Sequence, residues 1–342
     1  MSRPTIGWYV HHHGHGHITR FLAIRPQLDA DVVCFSTLEA PSPLPERTIW
    51  IQLDRDDLAE TSSSGSLSEP ADADPTAAGL LHWAPLGHRG HRSRLARIAA
   101  ETVKHPVAAF VVDVSAEVTL FVRLLGIPVV LVGQPGRRTD EAHKMAFRAA
   151  TRILAPWPAG VVTQPDFGDG VDVVHTGGIS RYDGRQPLSD DTRSGVLVML
   201  GSGGGDVSDD DLRDLDEALP EETITVLGPG RDWQDDPWQA LSSAEIVISW
   251  AGQNSIADLA AAGARGIVIP QQRPFDEQVE MATALEHAGL AVVERGWPEA
   301  WQWPSVLDRA RAQDPTWSAW QTTGAAERAA AAILDLAEEW SR

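Results

Sequence analysis

ISWAGQNSIADLAAAGARGIVIPQQRPFDEQ, residues 248–278, reads as a strand, a glycine turn, a helix, a second strand and an acid–amide pair. Residues 245–249 (EIVIS) are a short β-branched run, and Gly252 breaks it. Asn254 or Ser255 is placed to cap the helix IADLAAAGA, whose register sets Ile256, Leu259 and Ala260 on one face. Such a helix start offers free backbone N–H groups and the positive end of the helix dipole, and the two together attract phosphate. Asp258 follows one turn inside, where a carboxylate could accept hydrogen bonds from a ribose diol. GIVIP has the composition of a buried parallel strand, and Glu277 and Gln278 emerge just beyond its C-terminal end. Ligands of open α/β sheets bind at that edge.

WAGQNSIAD followed by the Glu277-Gln278 pair resembles the donor-sugar signature of the two-domain GT-B glycosyltransferases. It is similar above all to the MurG-like branch and the UDP-glycosyltransferases, whose signature has a GxNSxxE core and a later Asp/Glu-Gln pair. Gly252, Asn254 and Ser255 match it, and Asp258 stands where the family has Glu. Trp250 stands where the plant branch places a phosphate-binding His. The resemblance implies an α/β protein of GT-B fold, with two doubly wound Rossmann-like domains facing a central cleft. It further implies a bacterial, cytoplasmic enzyme that moves a sugar from a nucleotide diphosphate sugar, UDP-linked, to an acceptor hydroxyl. The relatives invert at the anomeric carbon and need neither cofactor nor metal.

Composition agrees with that outline. A chain of 342 residues is long for one core and suits two α/β domains. Apolar residues make up 43%, and no run of eighteen apolar residues occurs, so no membrane span is expected. The N-terminus MSRPTIGWYV enters a strand directly, without the apolar core of a secretory signal. Cys34 is the single cysteine, which excludes an intrachain disulfide and suits a reducing compartment. A net charge of −20, with Lys104 and Lys144 the only lysines, argues against nucleic acid and against electrostatic docking on anionic lipid. The arginine-rich, alanine-rich composition points to a high-GC genome.

Strand and helix patterns alternate along the first half. TIGWYV, DVVCFST and RTIWIQL are strands, and ITRFLAIRPQL is the first helix. Residues 60–79 are rich in Ser, Pro, Asp and Gly and read as a mobile loop. Residues 92–102 read as a helix, and AAFVVDVS as a strand ending at Asp113. Three further elements follow as helix, strand and helix, before the strand RILAP. The second half repeats the plan with the strands GVLVMLG and ITVLG around the helix DDDLRDLDEAL. Two domains are therefore expected, joined by a connector at 176–191, and the resemblance implies that residues 1–175 bind the acceptor and residues 192–325 the nucleotide sugar. An amphipathic helix at 326–342 could cross back onto the first domain.

Two glycine loops carry the remaining candidates. In HHHGHGHITR (residues 11–20), His17 falls at the start of the first helix. It resembles the family's GHxxP or GHxxR turn, whose His deprotonates the acceptor hydroxyl, a task that suits a side chain titrating near neutrality. By the same resemblance Asp113 orients that base. Five histidines in seven residues could hold a transition metal, but no acidic or cysteine partner is spaced nearby, and no metal site is expected. The second loop, Gly201-Ser202-Gly203, would let backbone amides approach the diphosphate; a tight strand–helix turn is the plainer reading. Trp233 matches the place where such enzymes pack a ring on uracil, and Arg181 lies in the connector, where a cation could meet phosphate. His15, His82 and Trp83 are the candidate acceptor contacts, the last two in the locally basic, aromatic stretch LHWAPLGHRGHRSR. Two other functions stay open: a nucleotide-sugar hydrolase related to MurG, with water in place of the acceptor, and a nucleotide-sugar-binding protein without catalysis.

Overall fold

The computed structural model describes residues 3–61, 65–189, 192–201 and 207–340. The first domain contains β1 (Thr5–Tyr9), α1 (Gly16–Ile24), β2 (Asp31–Ser36), β3 (Thr48–Gln52) and the short β4 (Glu60–Thr61) and β5 (Leu67–Ser68). It continues with α2 (Arg89–Lys104), β6 (Ala109–Asp113), α3 (Ala116–Leu124), β7 (Val129–Val132), α4 (Glu141–Ala149), β8 (Arg152–Ala155) and β9 (Asp172–His175). The second domain runs through β10 (Val196–Met199), α5 (Asp209–Ala218), β11 (Ile224–Leu227), α6 (Trp238–Ser243) and β12 (Ile246–Trp250). It ends with α7 (Gln253–Ala262), β13 (Arg265–Ile269), α8 (Glu277–His287), β14 (Val292–Val293), α9 (Trp303–Arg311) and α10 (Ala325–Glu339).

The strands form two parallel sheets, ordered β3-β2-β1-β6-β7-β8-β9 and β11-β10-β12-β13-β14. In each, the order reverses next to the first strand: between β1 and β6, and between β10 and β12. A crevice opens at such reversal points beyond the strands' C-terminal ends, and the two crevices of this chain face one cavity. Apolar residues on both sides of every central strand explain why the sheets are covered on two faces. Gly7 in β1 is required by packing, since a Cβ there would lie 2.3 Å from the ring of Phe110 on β6.

Helix α10 packs on the first domain, not the second. Its Ala329, Ile333 and Leu336 share a core with Ile6, Phe21 and Val111. Arg152 at the start of β8 donates to the carbonyl of Ala332 at 2.7 Å.

Three local expectations change. Within the stretch expected to be a mobile loop, β4 and β5 pair as an antiparallel hairpin, because Glu60–Thr61 and Leu67–Ser68 satisfy each other's backbone groups. β9, which was not read as a strand, ends just before the connector and forms the edge of the first sheet. Neither Asn254 nor Ser255 caps α7: the helix begins at Gln253 with Gly252 as its N-cap, and no side chain closes that end.

Candidate active site

His17 lies in the first turn of α1, and the C-terminal end of β6 brings Asp113 against it. His17 Nδ1 is 2.9 Å from Asp113 Oδ1. Arg20, one turn further along α1, donates from Nη1 to the same oxygen at 3.0 Å. Asp113 is wholly buried. Burial alone would raise its carboxyl, but the Arg20 guanidinium and His17 outweigh it and hold Asp113 below the usual carboxylate range. An ionised carboxylate only accepts, so the His17 ring donates through Nδ1 and keeps Nε2 as its basic nitrogen. Val114, the next residue, sits at φ 69°, a left-handed conformation that is costly for a β-branched side chain.

The opposite wall belongs to the second domain. Helix α7 points its uncapped N-terminus at the cavity, and Gly252, Gln253, Asn254 and Ser255 line it. Two hydrogen bonds join the walls beside His17. Asn254 Nδ2 donates to the Gly16 carbonyl at 2.8 Å, and Arg20 Nη2 donates to Gln253 Oε1 at 3.0 Å. Arg20 thus ties the His17–Asp113 pair to the helix that faces it. Glu277 and Gln278 begin α8 at the far side of this wall. Gln278 Oε1 accepts from the Gln271 backbone N–H at 3.0 Å, and Glu277 lies 3.4 Å from Arg138 Nη2 of the first domain.

The cavity between the walls has a volume of about 930 Å³. On the first-domain side it is rich in imidazole and aromatic rings. His82 packs against His143 at 5.1 Å and His143 against Phe275 at 4.7 Å, centroid to centroid. Glu117 Oε1 accepts from the backbone N–H groups of His82 and Trp83 at 2.6 and 2.7 Å, which fixes that stretch at the cavity edge. Beneath them Tyr9, pushed up to about 12 by burial, shares Arg94 with Asp56.

Most residues singled out in the sequence meet here. His15, His17, His82, Trp83, Gly201, Gly252, Asn254, Ser255, Glu277 and Gln278 all line the one cavity, and Asp113 stands directly behind His17. Ser202 and Gly203 lie outside the described residues. Asp258 does not reach the cavity: it is buried, accepts from Ser180 Oγ at 2.6 Å, and pairs with Arg181 Nε at 3.4 Å. Arg181 is thereby turned from the connector to Asp258 and to the Asp235 carbonyl of the second domain. Trp233 is half exposed, its indole N–H given to Asp235, with its ring 6.1 Å from His15 across the mouth. Arg20, Gln253, Arg94, Arg138 and Phe275 were missed. The i, i+3 spacing of His17 and Arg20 could have flagged Arg20, since it sets both on one face of α1.

Comparison with known proteins agrees with this architecture. Residues 232–295 match the glycosyltransferase family 28 C-terminal domain. A relative from Desulfitobacterium hafniense (strain Y51), the UDP-N-acetylglucosamine--N-acetylmuramyl-(pentapeptide) pyrophosphoryl-undecaprenol N-acetylglucosamine transferase, is 26% identical over 53% of this chain and 58% of its own length. The Proteus mirabilis (strain HI4320) protein of the same name is 28% identical over 51% of this chain and 56% of its own. The chain thus spans little more than half the length of these relatives. Among solved structures, MurG of Acinetobacter baumannii superposes with a TM-score of 0.61 at 16% identity, covering 98% of this chain and 100% of that one. The calicheamicin glycosyltransferase CalG4 gives 0.64 at 14% identity, with both chains fully covered. Phytolacca americana UGT2 with UDP-2-fluoro-glucose and pterostilbene gives 0.64 at 15% identity, covering 99% of this chain and 100% of that one. The chain thus has the GT-B architecture of MurG and its structural neighbours, is similar to MurG in sequence, and matches the family 28 C-terminal domain within its second domain.

Proposed function

We propose that this protein transfers a sugar from a nucleotide diphosphate sugar, UDP-linked, to the hydroxyl of an acceptor bound on the first domain. The observation that carries the reading is the opposition of His17–Asp113 to the uncapped start of α7 across one cleft, spanned by the Arg20–Gln253 and Asn254–Gly16 hydrogen bonds. His17 Nε2 takes the acceptor's proton as its oxygen attacks the anomeric carbon. The bond from that carbon to the diphosphate oxygen breaks in the same step, so the configuration inverts. Charge developing on the leaving diphosphate meets the amides and dipole of α7, a preorganised stabilisation worth most where water is excluded. Asp113 and Arg20 keep His17 in the tautomer that can accept a proton. Glu277 and Gln278 are the groups available for the donor sugar's hydroxyls. The reading requires no cofactor, and no metal at the diphosphate.

The names of the relatives, which act on or were solved with UDP-linked donors, support the choice of nucleotide. Among the described residues no helix is long and apolar enough to cross a membrane. The test is a panel of nucleotide sugars followed by thermal shift and by release of nucleoside diphosphate. A specific UDP-sugar is expected to raise the melting temperature by mass action and to be consumed when an acceptor is supplied. Consumption without any acceptor, yielding free sugar, would replace transfer by hydrolysis. Absence of a thermal response to every nucleotide diphosphate would refute the reading.

A further inference from the structure

The first-domain wall carries one cluster that the transfer described above leaves unused. His12 and His13 follow β1, Asp57 follows β3, and all three line the cavity. One ligand atom from each lies within 4.8 Å of the other two. His12 Nε2 is 3.4 Å from Asp57 Oδ2, and the His12 side chain is only 7% exposed. Both ring nitrogens of His12 are buried without a hydrogen-bond partner. A buried polar ring left unsatisfied is costly and calls for an explanation. Tetrahedral ligands about 2.1 Å from an ion are about 3.4 Å from one another, which is the spacing found here between imidazole and carboxylate.

The surroundings hold these groups in place. Arg55 clasps the Asp57 carboxylate from the solvent side, with Nε to Oδ1 at 2.8 Å and Nη2 to Oδ2 at 2.5 Å. His11 stacks on His12 at 4.8 Å with an 8° interplanar angle, and its Nδ1 accepts the backbone N–H of His13 at 3.1 Å. Hydrogen bonds from such outer groups to the ligands themselves are what orient metal-binding side chains.

We infer that His12, His13 and Asp57 form a binding site for a divalent transition-metal ion of the zinc type, with its fourth position open to the cleft. Two imidazoles and one carboxylate suit zinc and its neighbours over calcium or magnesium, and sites with three protein ligands leave a position for an exogenous oxygen. The ion stands on the acceptor wall, next to His11, whose ring is 5.6 Å from that of His17.

The test uses the full chain without an affinity tag, stripped with a chelator and titrated with Zn²⁺ against a chromophoric competitor. One Zn²⁺ per chain is expected. His13→Ala, at an exposed position, and Asp57→Asn should each weaken binding at least tenfold while melting like the stripped wild type. His287→Ala, an exposed histidine on α8, should leave affinity unchanged. Absence of stoichiometric uptake would overturn the inference. So would affinity unaltered by Asp57→Asn, because the loop's histidines alone would then account for binding. Neither result depends on whether the chain transfers a sugar.

Discussion

The buried Asp113 carboxylate accepts from two partners on α1, His17 and Arg20, and each partner has a distinct consequence for turnover. Replacing His17 by Ala removes the proton acceptor but no part of the core, so folding should persist while kcat falls by about 10²–10⁴-fold, measured as nucleoside diphosphate release. Arg20 touches neither substrate in the proposed reaction and is a positioning residue. Arg20→Met removes one positive charge beside the pair and the tie to Gln253. Its kcat should drop by about tenfold or more, with the acid limb of the rate profile moved to higher pH, because protonation next to Asp113 is then less opposed. An Arg20 that only supported packing would leave the shape of that profile unchanged. The placement of His17 and Asp113 beside each other followed from the family resemblance and from strands that end at the binding edge. The Arg20–Gln253 pair did not, since its members are 233 positions apart and only closure of the cleft brings them together.

Elements from the two domains interlock most tightly where the loop after β7 meets the loop before α8. Gly136 has φ 103°, and a Cβ there would lie 2.3 Å from the Phe275 carbonyl oxygen. That carbonyl accepts the Arg137 backbone N–H at 2.7 Å, and Phe275 and Asp276 are themselves left-handed, at φ 63° and 55°. Gly136→Ala should therefore push the loops apart, costing on the order of 2 kcal/mol or more in chemical denaturation. A radius of gyration larger than the wild type's, by small-angle scattering, should accompany it; an unchanged radius and stability would contradict the interlock. Periodicity located α7 but misjudged how it begins, and the helix α8 that starts at Glu277 was not read. Asn254 looked like a cap, yet its amide is drawn across the cleft to Gly16, and the N-cap falls to Gly252. Propensity describes what a residue can do locally, and here an interdomain contact takes precedence. The hairpin of β4 and β5 was hidden for the converse reason: its four residues lie at the surface and form a ladder without a core to mark it.

Across the molecule, two doubly wound parallel sheets followed from alternating patterns, because parallel strands buried on both faces are plain in sequence, whereas the strand order comes from the structure. Side-chain commitments between distant segments were not plain either. Asp258 has the position of a donor contact but is recruited to the junction of connector and second domain, beside Ser180 and Arg181. Burial raises its carboxyl from 3.8 to about 6, against the opposing pull of Arg181. The folded state therefore holds this proton more tightly than the unfolded chain does, and stability must fall as pH rises from about 4 to about 6. Through that window the loss from this group is on the order of 3 kcal/mol. Asp258→Asn, which cannot ionise, should gain on the wild type in denaturation midpoint as pH rises from 4 to 7, whereas a constant difference would show that Asp258 does not titrate there.

In the proposed reaction the start of α7 holds a diphosphate opposite His17. A crystal structure with UDP tests it most directly. Both phosphates are expected within hydrogen-bond distance of the backbone amides of Gln253, Asn254 and Ser255, with the open end of the diphosphate turned toward His17. Electron density for UDP elsewhere, with that helix tip contacting only protein or solvent, would contradict it.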